Sequence, residues 1–302
     1  MPFQQGNPIN MATVRTYDIF IPPTPRAALL PAIIVFHGRG QDISTIELRW
    51  GIDPANPPVP PLVAEYIMVF AETDPTLFDA FVHHKLGDAR FPEHDLLYVD
   101  ELVNEITTTA YNTGDPNIPT VSADPDRLYA AGFSNGAGMV WQLANSTRVA
   151  LFRGFAVVGK GLDPEKAQLY RQVLQQTGAV PPPVPFIFIM GTADPVFRSP
   201  TTLNESPIDS TFPFHSVAEM LNRNGVPAGP AVTQLIAGST NVTEVVAQLW
   251  TGGAEAFSYI TVINGGHNWP TPTTAGNPPV ADHFNATRAI VQFWRNFAGL
   301  PG

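Results

Sequence analysis

Two stretches of this chain, Ile33-Ile34-Val35-Phe36 and Phe186-Ile187-Phe188-Ile189-Met190, are apolar at every position. A strand with one face in water alternates apolar and polar side chains, whereas a strand covered on both faces has no such need. The runs are too short for ordinary helices, and helix-period segments lie between them. That combination restricts the chain to the α/β class, with a mostly parallel central sheet flanked by helices. The strand candidates are Val14–Ile21, Ala32–Phe36, Tyr66–Ala71, Arg127–Phe133, Gly154–Val158, Pro185–Met190 and Ser258–Ile263.

Spacing and caps predict the helices. Ser44 and Glu47 have capping-box spacing and open a short one. Asp95–Ala110 sets Leu96, Val99, Leu102, Val103 and Ile106 on one face. Gly136–Asn145 follows a strand directly, and the last helix, Asp282–Phe297, turns Ala286, Ile290, Phe293 and Phe297 inward. Pro-rich loops at Asp53–Pro61, Gly178–Pro185 and Pro270–Val280 are too short to read as linkers. No internal repeat is present, so residues 1–302 read as one domain with 1–12 as an N-terminal extension and no large cap domain.

Acidic residues outnumber basic ones, 26 to 16, for a formal net charge of −10. With no Lys/Arg run, a nucleic-acid partner is excluded, and an anionic membrane surface would repel the chain. No stretch is long and apolar enough for a membrane span. Cysteine is absent, which removes disulfides, thiolate metal sites and a cysteine nucleophile together. Met1–Pro8 has neither the basic nor the apolar region of a signal peptide. Proline-rich loops and few lysines (Lys85, Lys160 and Lys166) suit a secreted protein, so the expectation is extracellular with the signal trimmed, and cytoplasmic as the alternative.

Chemistry concentrates at Gly132-Phe133-Ser134-Asn135-Gly136, a G-x-S-x-G sequence between the strand Arg127–Phe133 and the helix from Gly136. A sharp strand-to-helix turn lifts the Ser134 hydroxyl above the sheet, and flanking glycines remove Cβ atoms that would clash there. The amides at the start of the new helix favour a developing oxyanion. Ser134 is therefore the candidate nucleophile.

Such a nucleophile needs a base and an acid in the chain order Ser, Asp or Glu, His. Of the histidines downstream, His215 sits at a helix start, His283 opens the last helix, and His267 lies in a glycine-flanked loop after the last strand candidate. His267 is the candidate base. Asp194, just beyond the strand Pro185–Met190, is the candidate acid, with Asp163 as its rival. The acid would fix the imidazole tautomer and stabilise the imidazolium. For the oxyanion, Ile33–Phe36 runs into His37-Gly38-Arg39-Gly40, so the backbone N–H groups of Arg39 and Asn135 are the candidate donors, with His37 as a brace.

The ordered blocks His37-Gly-Arg-Gly-Gln41, Gly132-Phe-Ser-Asn-Gly-Ala137, Gly191-Thr-Ala-Asp-Pro195 and Gly265-Gly-His-Asn-Trp-Pro270 resemble those of the polyhydroxybutyrate depolymerase and feruloyl esterase family of α/β-hydrolases. The likeness runs from about Val14 to Phe297. It implies an α/β-hydrolase fold and a serine esterase whose triad is Ser134, Asp194 and His267. The implied substrate is a polyester, or alternatively a feruloyl or acetyl ester of plant polysaccharide. Two departures are the Arg39 that stands where many relatives have Cys, and the lack of disulfides. A catalytically silent binding protein of the same fold is the rival from another class.

Trp269 could form a flat wall for an acyl or aromatic group, and Asp42 and Trp50 could line the same cleft. His83, His84, Asp88 and His94 share a segment without metal-ligand spacing, so no metal is expected. No phosphate-binding or dinucleotide motif occurs, and no cofactor is implied. The N-x-S/T sites at Asn145, Asn204, Asn241 and Asn285 would carry glycans only in a eukaryotic secretory host. The partner expected is an ester substrate, small or polymeric, met by a monomer or small homo-oligomer.

Overall fold

The apolar run Ile33–Phe36 belongs to a strand with parallel neighbours on both sides. In the computed structural model the described residues are 3–5, 9–10, 14–52, 62–73, 94–162, 168, 172, 178, 181–196, 212–227, 229–230, 232–236, 244–270 and 284–301. They divide into two units, Met1–Leu143 with Ala150–Arg153, and Ala144–Val149 with Gly154–Gly302.

The first unit holds β1 (Phe3–Gln5), β2 (Ile9–Asn10), β3 (Val14–Arg15), β4 (Tyr17–Phe20), β5 (Leu29–Phe36), β6 (Ile67–Ala71), β7 (Tyr111–Asn112) and β8 (Thr120–Phe133). Its helices are α1 (Ile43–Arg49), α2 (His94–Thr108) and α3 (Asn135–Ala144). The sheet order is β1-β4-β6-β5-β8, with β5 parallel to β6 and β8, and β4 antiparallel to β6. Ala32 to Phe36 are fully buried, as strands covered on both faces must be. α2 packs on β8 through the expected stripe, with Leu96, Val99, Leu102, Val103 and Ile106 all buried. At its start Asp95 pairs at 2.5 Å with Arg15, both side chains buried, and Arg15 lies over the Tyr98 ring. Buried charges persist only when paired in this way.

The second unit holds β9 (Gly154–Val158), β10 (Phe186–Gly191), β11 (Val232–Ile236), β12 (Val245–Trp250) and β13 (Phe257–Val262), with helices α4 (Phe212–Asn224) and α5 (Ala286–Phe297). Its order is β9-β10-β13-β12-β11, parallel from β9 to β13 and antiparallel beyond. α5 packs on β9 and β10, and α4 on β13. A Cβ on Gly154 would stand 2.8 Å from the Trp294 indole, so only glycine lets α5 seat this closely.

Three expectations need correction. The first short helix is capped by Asp42, not Ser44: Asp42 Oδ1 accepts from the Thr45 amide at 2.9 Å, and Glu47 is buried. Its carboxyl oxygen makes a tighter N-terminal turn than the Ser44 hydroxyl could from inside the helix. The strand Arg127–Phe133 extends back to Thr120, because a bulge at Asp124–Arg127 absorbs Pro125 and lets Ser122 and Ala123 pair with Leu29 and Leu30. β11 and β12 carried no strand expectation: β11, at the sheet edge, mixes polar and apolar residues, and β12 lies between it and β13 with Gln248 interrupting its apolar run. The last helix begins at Ala286 behind an Asn285 cap. His83, His84, Asp88, Asp163, His283, Asn204, Asn241 and the loop Asp53–Pro61 lie outside the described residues. Among the described residues no helix is long and apolar enough to cross a membrane, and no cluster of potential metal ligands occurs.

Candidate active site

Ser134 occupies the turn between β8 and α3 with φ of 51°, the left-handed region that side chains other than glycine rarely adopt. The glycines around it explain how the turn closes. A Cβ on Gly132 would meet the Gly136 carbonyl oxygen at 2.3 Å. A Cβ on Gly136 would meet the Phe36 carbonyl oxygen at 2.1 Å. The elbow thus packs backbone against backbone at the end of β5, and α3 begins at Asn135 with its amides at the turn.

The loop after β5 is tightly tied. His37 is fully buried, its Nδ1 donating to the Gly38 carbonyl at 2.8 Å and its Nε2 paired with Glu72 Oε1 at 2.9 Å. Glu72 follows β6, and the register Phe36 to Ala71 places it beside His37. Burial alone would raise the Glu72 carboxyl, but hydrogen bonds from His37 and Thr73 hold it below its ordinary value. Gln41 Oε1 accepts from the Gly38 amide at 3.1 Å and from Arg49 Nη1 at 3.0 Å. The Arg49 guanidinium lies 4.2 Å from the centroid of Phe133, the residue before Ser134. Burial pushes Arg49 down to about 10, still charged at neutral pH. Arg39 is exposed at the tip of this loop.

In the second unit, the acid and base loops leave adjacent parallel strands. Asp194 follows β10 and His267 follows β13, and Gly191 pairs with Val262 in the register. His267 Nδ1 donates to Asp194 Oδ2 at 2.7 Å. Asp194 Oδ1 accepts from the Val196 amide at 2.8 Å, so the buried carboxylate is held at both oxygens. Bonding at Nδ1 places the imidazole lone pair on Nε2, the atom a general base uses. The two loops are also stitched together. Ala193 N–H donates to the Gly265 carbonyl at 2.9 Å and Asn264 N–H to Thr192 Oγ1 at 2.7 Å. A Cβ on Gly191 would lie 2.2 Å from the Gly265 oxygen, so this contact demands glycine.

The three residues named for substrate contact, Asp42, Trp50 and Trp269, are placed as follows. Asp42 Oδ1 is engaged by the Thr45 amide and by the hydroxyls of Ser44 and Thr45. Those hydrogen bonds lower its carboxyl from the ordinary value. Trp50 is buried at the C-terminal end of α1. Trp269 is 4% exposed, with its indole N–H donating to Thr287 Oγ1 at 3.2 Å on α5. His215 lies within α4. Sequence reasoning passed over Glu72, Gln41 and Arg49. Only Gln41 carried a local signal, its place at the end of the His-Gly-x-Gly block.

No family model matches the chain. A protein of Nocardia uniformis subsp. tsuyamanensis that carries the name esterase NocK is 28% identical over 273 residues, covering 83% of this chain and 68% of that protein. Among solved structures, the dienelactone hydrolase-like promiscuous phosphotriesterase P91 from metagenomic libraries aligns over 98% of both chains with a TM-score of 0.54 and 15% identity. LpqC, a poly(3-hydroxybutyrate) depolymerase of Bordetella parapertussis, aligns over 96% of this chain and 88% of its own with a TM-score of 0.48 and 13% identity. The fold is that of the α/β-hydrolases, mostly parallel strands with flanking helices.

Proposed function

We propose that this chain hydrolyses carboxylic esters with Ser134 as nucleophile, His267 as base and Asp194 as the acid that orients it. The observation that carries the reading is Ser134 held at φ 51° on an elbow that only glycines can close. Backbone strain of this kind persists where the surrounding structure enforces it, and it exposes a hydroxyl for attack. The His267–Asp194 pair and the esterase name of the Nocardia relative support the same reaction.

Ser134 Oγ adds to the ester carbonyl while its proton passes to His267 Nε2. The tetrahedral oxyanion is stabilised by the Arg39 and Asn135 amides and collapses as His267 returns the proton to the departing alkoxide. Water, deprotonated by the same base, then frees the acid from the acyl-enzyme. Asp194 orients the imidazole and stabilises the imidazolium that forms. The whole of residues 1–302 acts as one catalytic domain.

The substrate reading is a polyester, a hydroxyalkanoate or a synthetic chain, on the four blocks that resemble the depolymerase family. A feruloyl ester would want an aromatic wall, and Trp269 instead packs its indole against Thr287. The proline-rich, lysine-poor composition favours an extracellular setting for that substrate. The deciding experiment measures products by mass spectrometry from polyhydroxybutyrate and feruloylated arabinoxylan in parallel, with Ser134→Ala as control. Hydroxybutyrate release that Ser134→Ala abolishes is expected; ferulate release would move the substrate to plant walls, and turnover retained by Ser134→Ala would overturn the mechanism. Folded protein that a fluorophosphonate does not label would indicate a binding protein.

A further inference from the structure

We propose that Gln41, held by Arg49, is a positioning residue for the oxyanion site: it fixes the Gly38–Arg39 peptide so that the Arg39 N–H, and not the Gly38 N–H, faces the developing charge. The inference rests on the esterase reading above and deepens it.

A His-Gly-x-Gly loop offers two neighbouring amides, and its peptide units can rotate between them. Here Gln41 grips Gly38 from both ends. Its side-chain Oε1 accepts the Gly38 N–H at 3.1 Å, and its own N–H donates to the Gly38 carbonyl at 3.2 Å. The same carbonyl accepts from His37 Nδ1 at 2.8 Å, and Glu72 holds the far side of that ring at 2.9 Å. In a trans peptide the carbonyl and the following N–H point in opposite directions. A carbonyl anchored twice therefore turns the Arg39 N–H to the opposite side. The Gly38 N–H, already taken, is withdrawn from the competition.

Arg49 explains why the glutamine stays in place. Its Nη1 donates to the same Oε1 at 3.0 Å, filling the second lone pair of the amide oxygen. Its guanidinium rests on Phe133, one residue before Ser134, so a single cation touches both the oxyanion loop and the strand end that carries the nucleophile. Position 38 is fitted to this arrangement, since a Cβ there would stand 2.9 Å from Gln41 Oε1 and 3.0 Å from the Phe133 ring. A donor aimed in advance acts on the transition state more than on the ground-state carbonyl. Loss of the clamp should therefore appear in kcat and spare KM.

The test compares Gln41→Met, which removes the acceptor, with Gln41→Glu, which keeps it, in the full chain. The readouts are kcat and KM on p-nitrophenyl butyrate, the rate of labelling by a fluorophosphonate, and the thermal midpoint. Gln41→Met should lose about 10- to 100-fold in kcat and in labelling rate with KM little changed. Gln41→Glu should recover most of that loss. Wild-type kcat and labelling in folded Gln41→Met would overturn the proposal. So would an equal loss in both variants, or a raised KM at constant kcat. If Gln41→Met does not fold, Arg49→Met against Arg49→Lys gives the same contrast, and equal activity in those two overturns it. Turnover retained by Ser134→Ala would strike the esterase reading itself. A dead Ser134→Ala beside a fully active Gln41→Met strikes only the clamp.

Discussion

Replacing Glu47 by glutamine should make the protein more stable, and increasingly so as the pH rises. Glu47 lies on α1 with 2% of its surface exposed, and its Oε1 is buried with no hydrogen-bond partner among the described residues. Burial first, and then repulsion from Asp18 and Asp42, pushes its carboxyl from 4.5 up to about 8. At neutral pH the folded protein therefore holds a proton that the unfolded chain has released. Stability then falls with rising pH, because the native state binds more protons than the unfolded state. The penalty is absent below 4.5, where both states are protonated, and complete above about 8. At about 1.36 kcal/mol per pH unit the whole window amounts to at most about 5 kcal/mol. Burial also raises Asp18, which can share the proton, so about 2 kcal/mol at neutral pH is the working figure. Glutamine has nearly the same shape and no charge at any of these pH values. Urea unfolding of wild type and Glu47→Gln, followed by tryptophan fluorescence between about pH 5 and pH 8, should give curves that converge at the acid end. They should separate steadily above it. A difference that stays constant across the range would refute the reasoning.

Asp194→Asn should lower kcat by up to about 10⁴, because with its oxygen on the Val196 amide the new NH2 faces His267 Nδ1 as a donor and favours the wrong tautomer, and a loss under tenfold in p-nitrophenyl ester turnover would argue against that role. Gly136→Ala should cost about 3 kcal/mol or abolish folding, because its Cβ would lie 2.1 Å from the Phe36 carbonyl oxygen, and an unchanged thermal midpoint would contradict it. Trp269→Phe should cost about 1 kcal/mol through the lost hydrogen bond to Thr287, with kcat and KM unaltered, whereas a raised KM on aromatic esters would restore Trp269 as a substrate wall.

The unbroken apolar runs of β5 and β10 determined the α/β class before any contact was known, because only strands covered on both faces tolerate them. The elbow was equally legible: glycine at positions 132 and 136 around a serine is a local requirement of a tight turn, and local requirements are written in neighbouring residues. The same holds for the apolar stripe of α2, which needs nothing beyond a period of helical spacing. What the tertiary structure decided was every property that depends on register or burial. Glu72 could be matched to His37 only once β5 and β6 were aligned with Phe36 opposite Ala71. Gln41 and Arg49 met only when the turn into α1 brought the Arg49 guanidinium onto the Phe133 ring and the Gln41 oxygen. Asp42 and Trp269, plausible cleft residues from their neighbours in sequence, were engaged by a helix cap and by Thr287. Sequence spacing carries the repeat of an element. It does not carry the offset between two elements, and that offset sets which side chains share a hydrogen bond and which are left facing water.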